Sequence, residues 1–244
     1  MDASNMAMIL STKPLFQRVR DHLTVRIAKG EWKPGTAIPN EGDLAREFEV
    51  SSGTMRKALI LMADQRLVER RQGRGTFVND AGSEKLAIRF SNIRDASGAR
   101  ISGEIKAAPI VEGMANELEC ARLCLTPQDR VYRVLRVRLC DGQPFMVEDA
   151  SMPAALFPGL KANNGYTHRI SSLAQQHGIL LGKAQERITI DRATLEIAET
   201  LGTAVDAPVL LLDRVTHALD GGPVEWRIAR CNLDDNSHYM VEMR

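Results

Sequence analysis

Leu67-Val68-Glu69-Arg70-Arg71-Gln72-Gly73-Arg74-Gly75-Thr76-Phe77-Val78 is the stretch that decides the fold of the first third of the chain. Two short apolar stretches, Leu67-Val68 and Thr76-Phe77-Val78, enclose a polar run with a glycine on each side of Arg74, the pattern of a β-hairpin with a glycine-rich tip. Immediately before it, Ser51 or Ser52 opens a helix whose Met55, Ala58, Leu59 and Met62 fall on one face, leaving Gly53, Thr54, Arg56 and Lys57 outward at its amino-terminal end. Further back, Asn40 N-caps a short helix with Asp43 at its third position and Leu44, Ala45 and Phe48 inward. Phe16, Val19, Leu23 and Ile27 make the stripe of a first helix that opens at Pro14 and ends near Gly30, and Lys33-Pro34-Gly35 is a turn.

Three helices followed by a hairpin is the order of a winged helix-turn-helix. A helix with Thr54, Arg56 and Lys57 at its front can enter the major groove, where arginine makes paired hydrogen bonds to guanine. Arg74, between Gly73 and Gly75, can reach the minor groove because glycines let the backbone approach the phosphates. Asn40, Ser51, Ser52, Gly53, Arg71, Gln72 and Gly75 complete the expected DNA-facing set. Any one of these side chains alone is better read as solvating a small helical domain; together, at these offsets, they read as a nucleic-acid face.

Composition agrees with this division. The chain has 244 residues, 44% of them hydrophobic and 26% charged, which suits a globular protein of one large or two smaller domains. Net charge is only +1, but residues 1–80 carry 13 basic and 10 acidic side chains and the rest of the chain is slightly acidic. Between Ser51 and Asn79 six basic residues face only Asp64 and Glu69. Cys120, Cys124, Cys140 and Cys231 sit at no zinc or redox spacing, which points to idle thiols in a reducing cytoplasm. The Met6–Leu10 run is too short for a secretory signal, and the expectation is a cytoplasmic protein with a loose tail, no membrane contact and no cofactor. Nucleotide-binding glycine loops, a His-Glu-x-x-His zinc motif and a Gly-x-Ser-x-Gly nucleophile motif are all missing.

From Asn79 to Lys85 the sequence turns small and polar, and beyond it the pattern changes. The expected organisation is a tail at 1–13, a DNA-binding domain at 14–78, a linker at 79–85 and a second domain at 86–244. That domain offers strands at Val131–Cys140, Phe145–Met152, Ile179–Ile190, Val209–Leu219 and Val224–Asn232, with helices near Met114–Arg122, His168–His177 and Ala193–Leu201. Asp141-Gly142-Gln143 and Asp220-Gly221-Gly222 are turns between consecutive strands, so the expected class is α+β with an antiparallel sheet. In the first strand Val131, Leu135, Val137 and Leu139 are expected on one face and Arg136 and Arg138 on the other. Two adjacent guanidinium groups repel unless carboxylates or a bound anion sit between them. Ser91, before an expected helical turn, offers a hydroxyl and backbone N–H groups to the same anion. The competing reading is an internal ion-pair set with Glu148 or Glu225, or two solvated arginines; spacing alone does not choose.

The block from Pro14 to Val78, with Gly30-Glu31-Trp32-Lys33-Pro34-Gly35, Ile38-Pro39-Asn40-Glu41 and Thr54-Met55-Arg56-Lys57-Ala58-Leu59 beside the hairpin, resembles the DNA-binding domain of GntR-family transcription regulators. Gly42 and Ser52 stand where that family often has operator-contacting arginines. The remainder resembles the UTRA effector-sensing domain of the HutC-type branch, with its chorismate-lyase-like fold. Val131-Tyr132-Arg133, Asp141-Gly142-Gln143-Pro144, Leu156-Phe157-Pro158-Gly159-Leu160 and Gly222-Pro223-Val224-Glu225 carry that similarity. The resemblance implies an anion pocket, to which Ser91, Arg136, Arg138, Glu148 and Glu225 are assigned. His168 joins them because it begins a helix that in related sensors carries a ligand-touching serine–tyrosine pair, where this chain has Thr167-His168-Arg169-Ile170. The implied protein is a homodimeric repressor, released from a double-stranded, inverted-repeat operator by a small anionic metabolite. The alternatives are a chorismate-lyase-like enzyme acting on a small aromatic acid, and an architectural DNA-binding protein whose second domain binds nothing.

Overall fold

The computed structural model describes residues 13–80, 90–101, 103–162, 169–234 and 236–241. The expected tail up to residue 12, residues 81–85 of the expected linker and His168 lie outside them. The chain divides into two compact units, Met1–Ala81 and Gly82–Arg244.

In the first unit, α1 (Leu15–Ala28), α2 (Glu41–Glu47) and α3 (Ser52–Asp64) precede a hairpin of β1 (Val68–Arg71) and β2 (Gly75–Val78). The caps are the ones the side chains dictate: Asn40 accepts from the Asp43 N–H and Ser51 from the Thr54 N–H. Val19, Leu23, Leu44, Met55, Leu59 and Met62 are buried together, each helix contributing its apolar stripe. The strands extend into the polar run that sequence assigns to the tip, because Arg70 and Arg71 pair with Thr76 and Gly75, so the turn is only Gln72-Gly73-Arg74. A further segment joins this sheet. The Gly35 and Ile38 N–H groups donate to Val78 and Thr76, fastening the stretch before α2 to the hairpin.

The second unit is an antiparallel sheet with helices on its faces. β3 (Ile93–Asp95), β4 (Glu104–Ala107), β5 (Val111–Met114), α4 (Glu117–Leu123), β6 (Arg130–Cys140), β7 (Gln143–Pro153), α5 (Ile170–Gln176), β8 (Leu181–Arg192), α6 (Leu195–Leu201), β9 (Pro208–Ala218), β10 (Pro223–Cys231) and β11 (Ser237–Tyr239) follow in that order. The main sheet runs β4-β6-β7-β10-β9-β8, with β5 also paired to β6, and β11 pairs with β3 separately. Both hairpin turns read from sequence use left-handed backbone, at Asp141 and Gly142 and at Gly221. Met114, expected in a helix, ends β5 instead, because Asn116 makes a capping box with Glu119 and starts α4 there.

Since side chains alternate along a strand, Tyr132, Val134, Arg136 and Arg138 of β6 share a face with Met146, Glu148, Ala150 and Met152 of β7. The opposite face is covered by α4, through Leu123 against Val131 and Trp226, and by α6, through Ile197, Ala198 and Leu201 against Val147 and Val209. The face with Val131, Leu135 and Val137 also carries Arg133, Leu135 on it is exposed, and the register shifts between Arg138 and Leu139. On the arginine face two apolar clusters are separate. One gathers Tyr132, Ala150, Met152 and Phe157 with Leu173 and Ala174 of α5; the other gathers Ile93, Met146, Leu212, Ala229 and Cys231. Between them runs a belt of charge.

Candidate functional site

The first unit carries an exposed polar surface at the start of α3 and along the hairpin. Ser51, Ser52, Gly53, Arg56 and Lys57 are exposed, as are Arg71, Gln72, Arg74 and Gly75, while Thr54 is half-buried with its hydroxyl 2.9 Å from Ser51 Oγ. Asn40 is exposed as well, but its side chain is engaged with Asp43 on both amide atoms. Arg56 is held by Glu41, with Nη2 and Oε1 2.9 Å apart, and the same carboxylate reaches Arg70 at 3.4 Å. Arg71 donates to Glu69 at 3.1 Å and lies over the Phe77 ring. Exposed ion pairs of this kind are worth about 0–1 kcal/mol and are easily exchanged for a stronger anion. At the tip Gly73 and Gly75 have φ of +70° and +110° with open space around them, and the exposed Arg74 sits between them.

The second unit contains a cleft over the charge belt, about 580 Å³ with the open solvent at its mouth included. Its walls include Ser91, Arg136, Arg138 and Glu225 from the expected set, and also Arg169, Arg214 and Arg227. Arg136 is 1% exposed. Its Nε lies 3.0 Å from Glu148 Oε2, and Nη2 donates to Glu225 Oε1 at 2.8 Å. Arg138 Nε donates to Glu148 Oε1 at 2.8 Å, and Arg227 Nη1 to the same oxygen at 2.5 Å. Glu148 is fully buried and does not line the cleft; it stands behind three arginines as their shared counter-ion. Burial opposes its charge, but Arg138, Arg227 and Arg136 together outweigh that and hold its carboxyl far below the ordinary range.

A second carboxylate extends the belt. Glu186 Oε1 accepts from Arg214 Nε at 2.7 Å and from Arg227 Nη2 at 3.3 Å. Its other oxygen accepts from the Tyr239 hydroxyl at 2.7 Å, and that hydroxyl accepts from Asn92 Nδ2 at 2.8 Å. Burial and the neighbouring Arg227 pull Arg214 down to about 10 despite Glu186. Arg227 moves the other way, since Glu148 and Glu186 more than offset its burial. Five arginines thus converge on a cleft that Glu225 also lines, with Glu148 and Glu186 as further counter-ions off its wall.

Arg136 and Arg138 therefore form the internal ion-pair set with Glu148 and Glu225, and the same two side chains line the cleft. Ser91 differs from expectation: β3 follows it rather than a helical turn, its hydroxyl donates to the Ile101 carbonyl at 3.1 Å, and it offers no helix amino terminus. Arg169, Glu186, Arg214 and Arg227 were not singled out from sequence. Arg214 sits inward between Leu212 and Thr216, and Arg227 two residues from Glu225, positions at which alternation alone does not mark them out, while Arg169 precedes α5 and lies on no strand.

The walls demand one glycine. Gly103 has φ +67°, and a Cβ there would lie 2.8 Å from the Leu139 carbonyl and 2.9 Å from the Phe145 ring that lines the cleft. The Gly103 carbonyl also accepts from Arg169 at 3.2 Å.

Comparison with known proteins gives a consistent result. Residues 15–78 match the model of the bacterial regulatory proteins of the gntR family, and residues 109–236 match the UTRA domain. The mannosyl-D-glycerate transport/metabolism system repressor of Escherichia coli is 29% identical over 95% of this chain and 97% of that repressor. The histidine utilization repressor of Klebsiella aerogenes is 25% identical, covering 83% of this chain and 84% of its own. Among solved structures, PhnF from Mycobacterium smegmatis is similar with a TM-score of 0.56 and 25% identity, over 93% of this chain and 99% of that one.

Proposed function

Because the chain belongs to the gntR family of bacterial regulatory proteins and carries a UTRA domain, we propose that it is a repressor which a small anionic metabolite releases from DNA. The observation that carries the ligand half is the cleft walled by five arginines with Glu148 held behind them. Guanidinium groups fixed by buried carboxylates are already oriented, so an acidic group entering the cleft gains charge-assisted hydrogen bonds without ordering flexible side chains. Glu225, on the cleft wall, can accept from hydroxyl or amino groups on the same molecule. A relative named for mannosyl-D-glycerate, itself an acid, supports that chemistry.

For the DNA half, α3 enters the major groove with Arg56 on a base edge, and Lys57 and Arg71 on phosphates. Arg74 reaches the minor groove from the hairpin tip. Two copies present two such surfaces to the halves of an inverted repeat, whose centres lie about one helical turn apart. Coupling is the difference in ligand affinity between the DNA-competent and released states. No helix among the described residues is long and apolar enough to cross a membrane, and a cytoplasmic location suits a DNA partner. The enzyme of chorismate-lyase type is not favoured, since the matched relatives are named as repressors.

Arg136→Ala tests the assignment. Losing a charge-assisted hydrogen bond costs about 1.5–3 kcal/mol, roughly ten- to a hundredfold in affinity. Calorimetry with sugar phosphates, phosphonates and small carboxylic acids identifies a ligand for the wild type; the variant then loses it while operator affinity stays near wild type. A variant that binds the ligand normally per folded molecule refutes the anion cleft.

A further inference from the structure

Glu41 opens α2 directly after its Asn40 cap, and its carboxylate bridges to both α3 and β1. One oxygen, Oε1, accepts from Arg56 of α3 at two atoms, Nε at 3.0 Å and Nη2 at 2.9 Å. The other, Oε2, accepts from Arg70 Nη2 of β1 at 3.4 Å. Glu41 is the sheltered member of the three, its side chain 21% exposed against 61% for Arg56 and 44% for Arg70. Its neighbour Gly42 is exposed and brings no side chain to the same surface.

The edge by which Arg56 is held decides what it can still bind. A guanidinium group has two forked edges, a side edge of Nε and Nη2 and an end edge of Nη1 and Nη2, and either fork matches two adjacent acceptors. Glu41 fills the side edge. Among the described residues nothing is bonded to Nη1, so the end edge is left for another molecule. In the major groove only guanine offers two neighbouring acceptors, N7 and O6; adenine sets an acceptor beside a donor, thymine has one acceptor beside a methyl group, and cytosine has a donor. An arginine free to turn can present either fork to a base or swing to a phosphate, which carries no sequence information. With the side edge filled, one fork remains, and a phosphate approaching Arg56 also meets the negative charge of Glu41. The exposed pair is weak, but it acts on a ratio: it disfavours backbone binding by Arg56 more than it disfavours the base contact.

We propose that Glu41 is a positioning residue for sequence reading, holding Arg56 so that its Nη1–Nη2 fork reads one guanine and turning it away from phosphates. The inference rests on the reading of α3 as the major-groove helix, and adds to it a specificity-determining residue that itself need touch no DNA.

Selection by the full-length chain from a randomised double-stranded DNA pool tests it, read as the base preference at each position of the enriched motif. The wild type enriches a motif containing a guanine whose preference Arg56→Ala abolishes. Glu41→Ala lowers that one preference by about two- to fivefold, the range of an exposed ion pair, and leaves the other positions unchanged. It also binds unrelated DNA more tightly, because a negative charge has left the face. In an Arg56→Ala background the same substitution has no guanine preference left to lower. The melting temperature of Glu41→Ala stays near that of the wild type, since the pair is exposed. A Glu41→Ala chain that keeps the full guanine preference, or that blunts every position alike, overturns the positioning role. A wild type that enriches no motif, or an Arg56→Ala chain that enriches the same one, overturns the reading of α3 instead.

Discussion

Replacing Glu148 by glutamine isolates the belt from everything around it, since the two side chains have nearly the same shape and differ in charge. The carboxylate is wholly buried and lies within 3.0 Å of three arginines, at 3.0, 2.8 and 2.5 Å. Removing it takes away the counter-ion that all three share, leaving Glu225 beside Arg136 and Glu186 beside Arg227, and the amide N–H₂ now points at donors. Breaking a buried charge pair from one side costs about 3–5 kcal/mol. In a domain of roughly 150–250 residues each kcal/mol moves the melting temperature by about 2–4 °C, so the loss at pH 7 is on the order of 6–20 °C. The pH dependence has a definite sign. Glu148 has a folded-state pKa held below its unfolded value, so its stabilisation is present above the unfolded pKa of about 4.3 and fades as pH falls toward the folded one. Scanning calorimetry of both chains from pH 7 to pH 3 therefore gives curves that converge in acid. A shift under about 3 °C at pH 7, or a gap that stays constant on acidification, refutes the counter-ion role.

Arg56→Ala weakens operator binding by about 1–3 kcal/mol and relaxes preference at one base pair, measured by fluorescence anisotropy across operator variants. Glu41→Gln frees Arg56 and Arg70 from their shared carboxylate, so DNA binding tightens and its salt dependence steepens. Arg74→Ala weakens binding most on operators whose flanks have a narrow minor groove; an equal loss on wide-groove flanks removes the tip from the groove. Tyr239→Phe leaves Glu186 Oε2 and Asn92 without the hydroxyl that joins them and costs about 1–3 kcal/mol in urea unfolding. Burial, then the bond to Glu186, pushes the Tyr239 phenol up to about 12, so its contribution is complete below the unfolded pKa near 10 and is lost above that, toward 12.

The first unit was legible because its determinants are local. A cap, an apolar stripe and a glycine tip each span fewer than about fifteen residues, and each acts through its own periodicity. The clamp between residues 35–38 and the hairpin was invisible for the opposite reason: it is made by backbone groups, whose bonding no side-chain pattern records. The second unit yielded its long strands and turns, whereas β3, β4, β5 and β11 escaped. They are three or four residues long, and β4 alternates only between exposed and half-buried positions. The site itself divides the same way. Arg136 and Arg138 announce a shared face by spacing, but Glu225 is 89 positions from Arg136, and Glu186 is 53 from Tyr239. Inward charge on β9 and β10 was hidden because Arg214 interrupts a mostly apolar strand and β10 carries charge on both faces, Glu225 and Arg227 on one and Arg230 on the other, so alternation gave no contrast.

Gly103 gives the cleft a genetic signature. Any side chain at this left-handed position must push the Leu139 carbonyl or the Phe145 ring, and it shifts the carbonyl that steadies Arg169. None of those groups belongs to the hairpin or to α3. In a selection for strains that can no longer switch the regulated genes on, Gly103 should therefore return dominant, uninducible alleles, and such alleles at a residue with no side chain would map the cleft as surely as a bound molecule.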